Sequence, residues 1–296
     1  MNVPRDHLPR PFGVTPAAAE HHSAQGGRRT IPECQVVRED VLTIEVEGIG
    51  AYSLMWTPTD EPPGDVGYTA EDGVLADGDI PEALALAAGF AFTEGIIDTL
   101  ADIAAMWICH ERPDVVNLRL AHPDEANVRR RNVVVNSSCG VCGGREQLFD
   151  GVTCTAPPTG TLRLRIADLA TIRTGMQERQ RVFGATGGTH GATLFGPDLQ
   201  LLAVAEDLGR HNALDKVIGR HLLGGRSFAG CGAFISSRVS YEMAAKAVRA
   251  GLEVLAAISA PSSLAIDLAQ RHGLTLCGFV RDDRAMVYAH PQRIID

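Results

Sequence analysis

The sequence predicts an α/β protein in which a smaller N-terminal α+β region precedes a larger C-terminal α/β domain. The last third alternates short apolar strands with helical segments across brief loops, which implies a mostly parallel sheet with helices packed on it. At 296 residues and 45% hydrophobic content, the chain can bury a substantial core, and its length suggests about two domains. Earlier apolar segments are strands of uneven spacing broken by one long helical pattern. The expected divisions are an arm over residues 1–30, an N-terminal region over 31–125 and the α/β domain over 126–296.

The first thirty residues mix Pro, Arg, His and Gly without an apolar stretch. They read as a disordered arm and not as a secretory signal. Residues 36–56 alternate, with Leu42, Ile44 and Val46 on one face, and predict a strand or hairpin. Segment 57–81 carries Asp60, Glu61, Asp65, Glu71, Asp72, Asp77 and Asp79 with no Lys or Arg, and reads as an exposed acidic loop. It accounts for seven of the nine excess charges behind the net −9, so the remainder is near neutral and an anion site is allowed. Leu84, Ala87, Ala88, Ala91, Phe92 and Gly95 share one side of a helix expected over 81–100.

Strands are expected at 115–120 and 132–135, then a helix within 166–183 starting at Asp168. Beyond it the expected order is strand 199–205, helix 212–223, strand 232–235, helix 240–250, strand 254–258, helix 262–272 and strand 274–280. The longest apolar run, 84–92, falls well short of the ~20 residues of a membrane span. Seven cysteines, an odd number without an export signal, favour a reducing cytoplasm, where a close thiol pair signals chemistry or metal.

That pair lies in Ser137-Ser138-Cys139-Gly140-Val141-Cys142-Gly143-Gly144, where glycines permit a tight turn and close approach to the sulfurs. Zinc needs four ligands, and one C-x-x-C supplies two; Cys154, His190 or His211 could complete it. Disulfide exchange would want a helix start, which Gly143-Gly144 discourages. A zinc deaminase pattern is echoed by Cys109-His110-Glu111, but Ser138 stands where that pattern has proline. Sulfur carriage as a persulfide requires an exposed thiolate favoured by nearby positive charge, which Arg129, Arg130, Arg131 and Arg145 could supply.

Parallel sheets gather ligands at the carboxyl ends of their strands. Two serine-rich loops lead from such ends into helices, one with Ser236, Ser237, Arg238 and Ser240, the next with Ser259, Ser262 and Ser263. Serines there cap helices, and the same helix starts bind phosphate. The Thr186–Gly191 loop reads on its own as a turn, whereas the segment Glu206 to Lys216, with Arg210, His211 and Asp215, adds candidates for recognition or proton transfer. Of 27 basic side chains only Lys216 and Lys246 are lysine. Where arginine is the default, a lysine suggests a need for a compact point charge.

Ala88-Gly89-Phe90, Thr93-Glu94-Gly95-Ile96-Ile97, the cysteine loop, Thr186 to His190, Glu206 to Gly219, Ser236 to Lys246, Ala256 to Leu264 and Gly278 to Pro291 together resemble the FdhD family, the formate dehydrogenase accessory sulfurtransferases. The match runs in order from about residue 38 to the end. The resemblance implies a cytidine deaminase-like three-layer domain and sulfur transfer from a cysteine desulfurase to a molybdenum bis(molybdopterin guanine dinucleotide) cofactor destined for formate dehydrogenase. It makes Cys139 the persulfide carrier and Cys142 its accessory. The family's cofactor segment falls on Phe279, Val280, Arg281, Asp282, Asp283 and Arg284; the loops themselves add His190, Arg210, His211, Lys216, Ser237, Arg238 and Ser262 as further candidate contacts. It also implies a homodimer with no resident metal, no nucleic-acid partner and no membrane partner. Relative to the family, the acidic segment looks like an insertion and the first thirty residues like an extension.

Overall fold

Two sheets enclose a shared layer of helices. The computed structural model describes residues 10–61, 64–76, 78, 80–123, 152, 154 and 160–295; the cysteine loop lies outside them. The first sheet has five strands in the order β4-β3-β7-β6-β5. These are β3 (Asp40–Val46), β4 (Gly50–Trp56), β5 (Val66–Thr69), β6 (Ile103–Cys109) and β7 (Arg112–Leu120). Alternation sets its inner face, with Leu42, Ile44, Tyr52 and Leu54 buried between more exposed neighbours. β5 lies inside the acidic segment expected to be a loop. Its Tyr68 is buried, and Gly67 lets it lie close to β6, since a Cβ there would sit 2.8 Å from the Met106 carbonyl oxygen.

Helix α1 (Glu82–Thr93) is apolar on nearly every side and buried along almost its whole length, as an all-round apolar helix must be. It is shorter than the expected 81–100 because Gly95 takes φ +75° and the chain turns back, with Ile96 N donating to Ala91 O at 2.8 Å. It packs on α4 (Arg210–Leu223) beneath the second sheet.

The second sheet has six strands in the order β13-β12-β11-β10-β8-β9. They are β8 (His190–Phe195), β9 (Leu201–Asp207), β10 (Gly232–Ile235), β11 (Val254–Ala257), β12 (Thr275–Gly278) and β13 (Met286–Ala289). Only β10–β11 and β11–β12 pair in parallel. The sheet is therefore mixed, not mostly parallel. The short 196–200 and 279–285 links join β8 to β9 and β12 to β13, and links this short permit only antiparallel pairing.

One face of this sheet, with Ala233, Ile235, Leu255 and Leu276, packs on α4, α5 (Tyr241–Arg249) and α6 (Ser263–His272). The other, with Phe195, Phe234, Val254 and Cys277, packs on Leu169, Ile172 and Met176 of α2 (Ile166–Arg179). A short α3 (Arg181–Thr186) follows α2. The expected junction at 125/126 falls outside the described residues. Apolar residues on both sides of it join one core.

Residues 10–30 correct the expectation of a disordered arm. β1 (Val14–His22) and β2 (Arg28–Val37) form a projecting antiparallel ribbon. Gly26 and Gly27 take positive φ at its turn, where Ser23 N donates to Gly27 O at 3.1 Å. The Gly-Gly pair was the available signal; the polar composition of the strands concealed it.

Candidate functional site

The second sheet brings most of the sequence-flagged loops to one edge. Parallel β10, β11 and β12 end there and deliver 236–240, 258–262 and 279–284. β8 runs opposite to β10, so its first residue, His190, starts at that edge, and β9 returns with Asp207 opposite His190. The loops are stitched together. Gly191 N donates to Ser236 Oγ at 2.9 Å and Ser236 N to Gly191 O at 2.9 Å. Ser262 N donates to Val239 O at 2.9 Å, and Phe279 N to Ser259 O at 3.2 Å. Gly278 leaves room for this closure, since a Cβ would sit 2.9 Å from Pro261 Cδ.

Three helices start at this edge, each directing its first N–H groups and positive dipole end toward it. Ser262 Oγ caps α6 by accepting from Ala265 N at 3.3 Å. No side chain caps α4 or α5, and the buried Ser240 hydroxyl at the start of α5 has no hydrogen-bond partner among the described residues. Arg210 and Arg238 form no ion pair among them. Burial, reinforced by the Arg210 charge, holds the His190 imidazole below its ordinary range. His211 Nε2 lies 3.1 Å from Glu242 Oε2, and that hydrogen bond holds the Glu242 carboxyl low. Phe279 is 41% exposed with φ +51°, a costly backbone for a bulky residue and one that clusters at ligand sites. Uncapped helix starts beside arginines are an arrangement that favours an anion such as phosphate.

Several other flagged residues, Lys216, Val280 and Arg281 among them, are committed to the protein itself, whereas Asp282, Asp283 and Arg284 form only exposed pairs. Lys216 is 2% exposed and corrects the expectation of a ligand contact. Its Nζ donates to Thr57 O, Glu82 Oε1 and Glu206 O and lies 2.7 Å from Asp207 Oδ2. Val280 is wholly buried and its side chain faces the core. Arg281 Nη1 donates to Ile258 O and Val280 O, tying down its own loop. Asp282 pairs with Arg173, and Arg284 with Asp283. The Ser237 hydroxyl donates to Arg238 O. Sequence reasoning missed Glu242, whose only signal was its place two residues into the helix after Ser240.

Cys139 and Cys142 lie outside the described residues. Among the rest, burial pushes Cys231 up to about 11 and Cys277 up to about 12, so both are poor nucleophiles. Cys109 is exposed at the end of β6, with His110 and Glu111 in the turn to β7, not on the helix a deaminase motif would want. Among the described residues no three His, Cys, Asp or Glu side chains gather as a metal site. Iodoacetamide at neutral pH is expected to label Cys109 in the folded protein and to reach Cys231 and Cys277 only after denaturation. Peptide mass spectrometry reads each site, and native labelling of Cys277 would contradict its burial.

Residues 79–295 match the family model described as FdhD/NarQ family. The chain belongs to the FdhD/NarQ family. The Sulfur carrier protein FdhD of Streptomyces avermitilis is 38% identical over 264 residues, 88% of each chain. Its namesake from Xanthomonas euvesicatoria is 35% identical over 300 residues, spanning 99% of this chain and 96% of its own. The fold is similar to that of a crystal structure described as a formate dehydrogenase accessory protein, from Desulfotalea psychrophila. The TM-score is 0.71 over 95% of this chain and 99% of that one, at 22% identity. The FdhD family resemblance read from the motifs is thereby borne out. No helix among the described residues is long and apolar enough to cross a membrane.

Proposed function

We propose that this chain is a cytoplasmic sulfur carrier that serves formate dehydrogenase. Cys139 takes sulfur from a cysteine desulfurase and passes it to a molybdenum bis(molybdopterin guanine dinucleotide) cofactor held at the sheet edge. The observation that carries this reading is the convergence of two uncapped helix starts with Arg210 and Arg238, a setting for the pyrophosphate of a guanine dinucleotide. Membership of a family whose relatives are named sulfur carriers supports the sulfur half. In the loading step the Cys139 thiolate attacks the outer sulfur of the donor's persulfide. The donor's S–S bond breaks, its cysteine leaves as thiolate and Cys139 becomes the persulfide, so no external oxidant is consumed. Cys142 is the accessory thiol.

The same reading keeps the cytidine deaminase-like layering, supported by helices on both faces of the six-stranded sheet. It keeps the homodimer too. The β1–β2 ribbon, largely exposed along its strands and touching the body of the protein at α3, is the surface this reading assigns to the second copy. Incubation with a cysteine desulfurase and 35S-cysteine tests the proposal. Wild type is expected to take up label released by dithiothreitol, and Cys139→Ala to take up none and to leave formate dehydrogenase inactive in cells. Equal labelling and full activity in Cys139→Ala would overturn it.

A further inference from the structure

Glu242 places a negative charge beside the candidate anion site. It is the second residue of α5, as His211 is of α4, and both helices start at the same sheet edge. The two side chains bridge those first turns, with His211 Nε2 3.1 Å from Glu242 Oε2. The imidazole is 20% exposed and the Glu242 side chain 49%. An ionised carboxylate only accepts, so Nε2 carries the hydrogen of this bond. Nδ1, the other ring nitrogen, has no partner among the described residues.

The state of Nδ1 decides how the edge meets an anion. In a neutral imidazole with its hydrogen on Nε2, Nδ1 presents a lone pair and repels a phosphate oxygen. In the imidazolium it carries a hydrogen and donates.

Nearby charges set which state a bound anion selects. Arg210 precedes His211, and Arg238 lies in the loop before α5. One turn further in, Asp215 on α4 is paired with Lys246 on α5, and Lys246 also with Glu94 at the end of α1. Asp207 on β9 is paired with Lys216. On β8, burial and the Arg210 charge disfavour a proton on His190. Arg210, Arg238 and Glu242 are thus the edge charges not spent on an opposite charge. The His211 hydrogen bond holds the Glu242 carboxyl low, so Glu242 is ionised at neutral pH. A doubly negative pyrophosphate diester arriving there gains from the arginines and loses to Glu242. A proton on His211 offsets that loss and turns Nδ1 into a donor.

We propose that a phosphate-bearing ligand binds at this edge together with a proton, taken from solvent onto His211, and that Glu242 is the positioning residue that holds the imidazole for it. The inference rests on the pyrophosphate site of the proposed function. Because the bound state carries the extra proton, affinity is higher on the acid side of neutrality and falls as pH rises.

The probe is diguanosine pyrophosphate, which has the same pyrophosphate diester and exchanges no proton near neutral pH. Every proton counted therefore belongs to the protein. Isothermal titration calorimetry in buffers of different ionisation enthalpy counts them. Wild type is expected to take up more than ~0.3 proton per ligand at pH ~7.5, and to bind about three- to tenfold more weakly at pH ~8 than at pH ~6. His211→Gln should bind with no uptake and with an affinity that is flat across that range. Glu242→Gln keeps an acceptor for Nε2 but removes the charge. Its uptake should fall by half or more, while at pH ~8 it binds as tightly as wild type or more tightly. A residue that only holds the fold together would, when replaced, weaken binding at every pH. Should His211→Gln fail to fold, Glu242→Gln decides alone. Binding by wild type without uptake, undiminished uptake in either variant, or weaker binding of Glu242→Gln at every pH would overturn the inference and leave the pyrophosphate site standing. No binding by wild type would remove both.

Discussion

Gly219→Ala is expected to destabilise the protein more than almost any other single methyl group could. A Cβ at Gly219 would lie 1.8 Å from Ala85 O and 2.5 Å from Gly89 N, and one at Gly89 would lie 1.9 Å from Asp215 O. α1 and α4 therefore cross backbone against backbone, at a spot where each helix supplies the glycine the other requires. The obstructing atoms are main-chain atoms, so no rotamer change can make room. The helices would have to separate by more than an ångström, and α1 is buried in the core shared by both sheets. Core overpacking costs ~1–3 kcal/mol and occasionally more; the upper end or beyond is expected here, a fall in Tm on the order of 10 °C. Gly184→Ala is the control. It lies in α3 with nothing within 4 Å of its Cβ position, so alanine should be neutral or stabilise by up to ~1 kcal/mol. Thermal unfolding by circular dichroism compares the two, and equal melting temperatures would refute the tight crossing.

How much of this was legible in the sequence differs between neighbouring elements. The run β10, α5, β11, α6, β12 could be read because each strand is short and wholly buried and each helix has one apolar face. The expected strand at 232–235 matches β10 end for end. Strand direction could not be read in the same way. β13 is a half-exposed strand that lacks a periodic apolar pattern, and β8 begins within what looked like a glycine turn. Nor could burial of charge be inferred. Glu206 sat in a motif that suggested ligand recognition, yet its carboxylate accepts from the first amides of α3. The candidate edge was more legible than its individual residues. Strand ends and helix starts set the loops, whereas partners distant in sequence decide whether a given side chain faces the ligand or the core.

Lys246→Met is expected to cost about 3–5 kcal/mol, the penalty for removing one partner of a buried ion pair, with a cost that depends on pH. Lys246 and Lys216 are the two lysines among 27 basic side chains, and each sits buried between two carboxylates. Lys246 Nζ donates to Asp215 Oδ2 at 2.8 Å, Glu94 Oε1 at 2.9 Å and Thr93 Oγ1 at 2.8 Å. It thereby joins α5 to α4 and to the end of α1. Burial opposes its charge, but Asp215 and Glu94 outweigh that and hold the ammonium above its ordinary range. Its contribution is thus fully present below the unfolded lysine value of ~10.4 and lost only at higher pH. Without the ammonium, buried Asp215 keeps its proton to higher pH when folded, whereas the unfolded chain releases it near pH ~4. Above that pH the folded variant binds more protons than the unfolded one, so its stability falls as pH rises, and its deficit against wild type narrows toward pH ~4. Lys246→Met with Asp215→Asn should recover part of the loss and remove the pH dependence. Lys246→Arg should recover little, because a planar guanidinium cannot direct its donors at three acceptors grouped around a point. Urea unfolding across this pH range measures all four proteins, and a deficit below ~1 kcal/mol, or one that does not change with pH, would show that Asp215 does not need the cation.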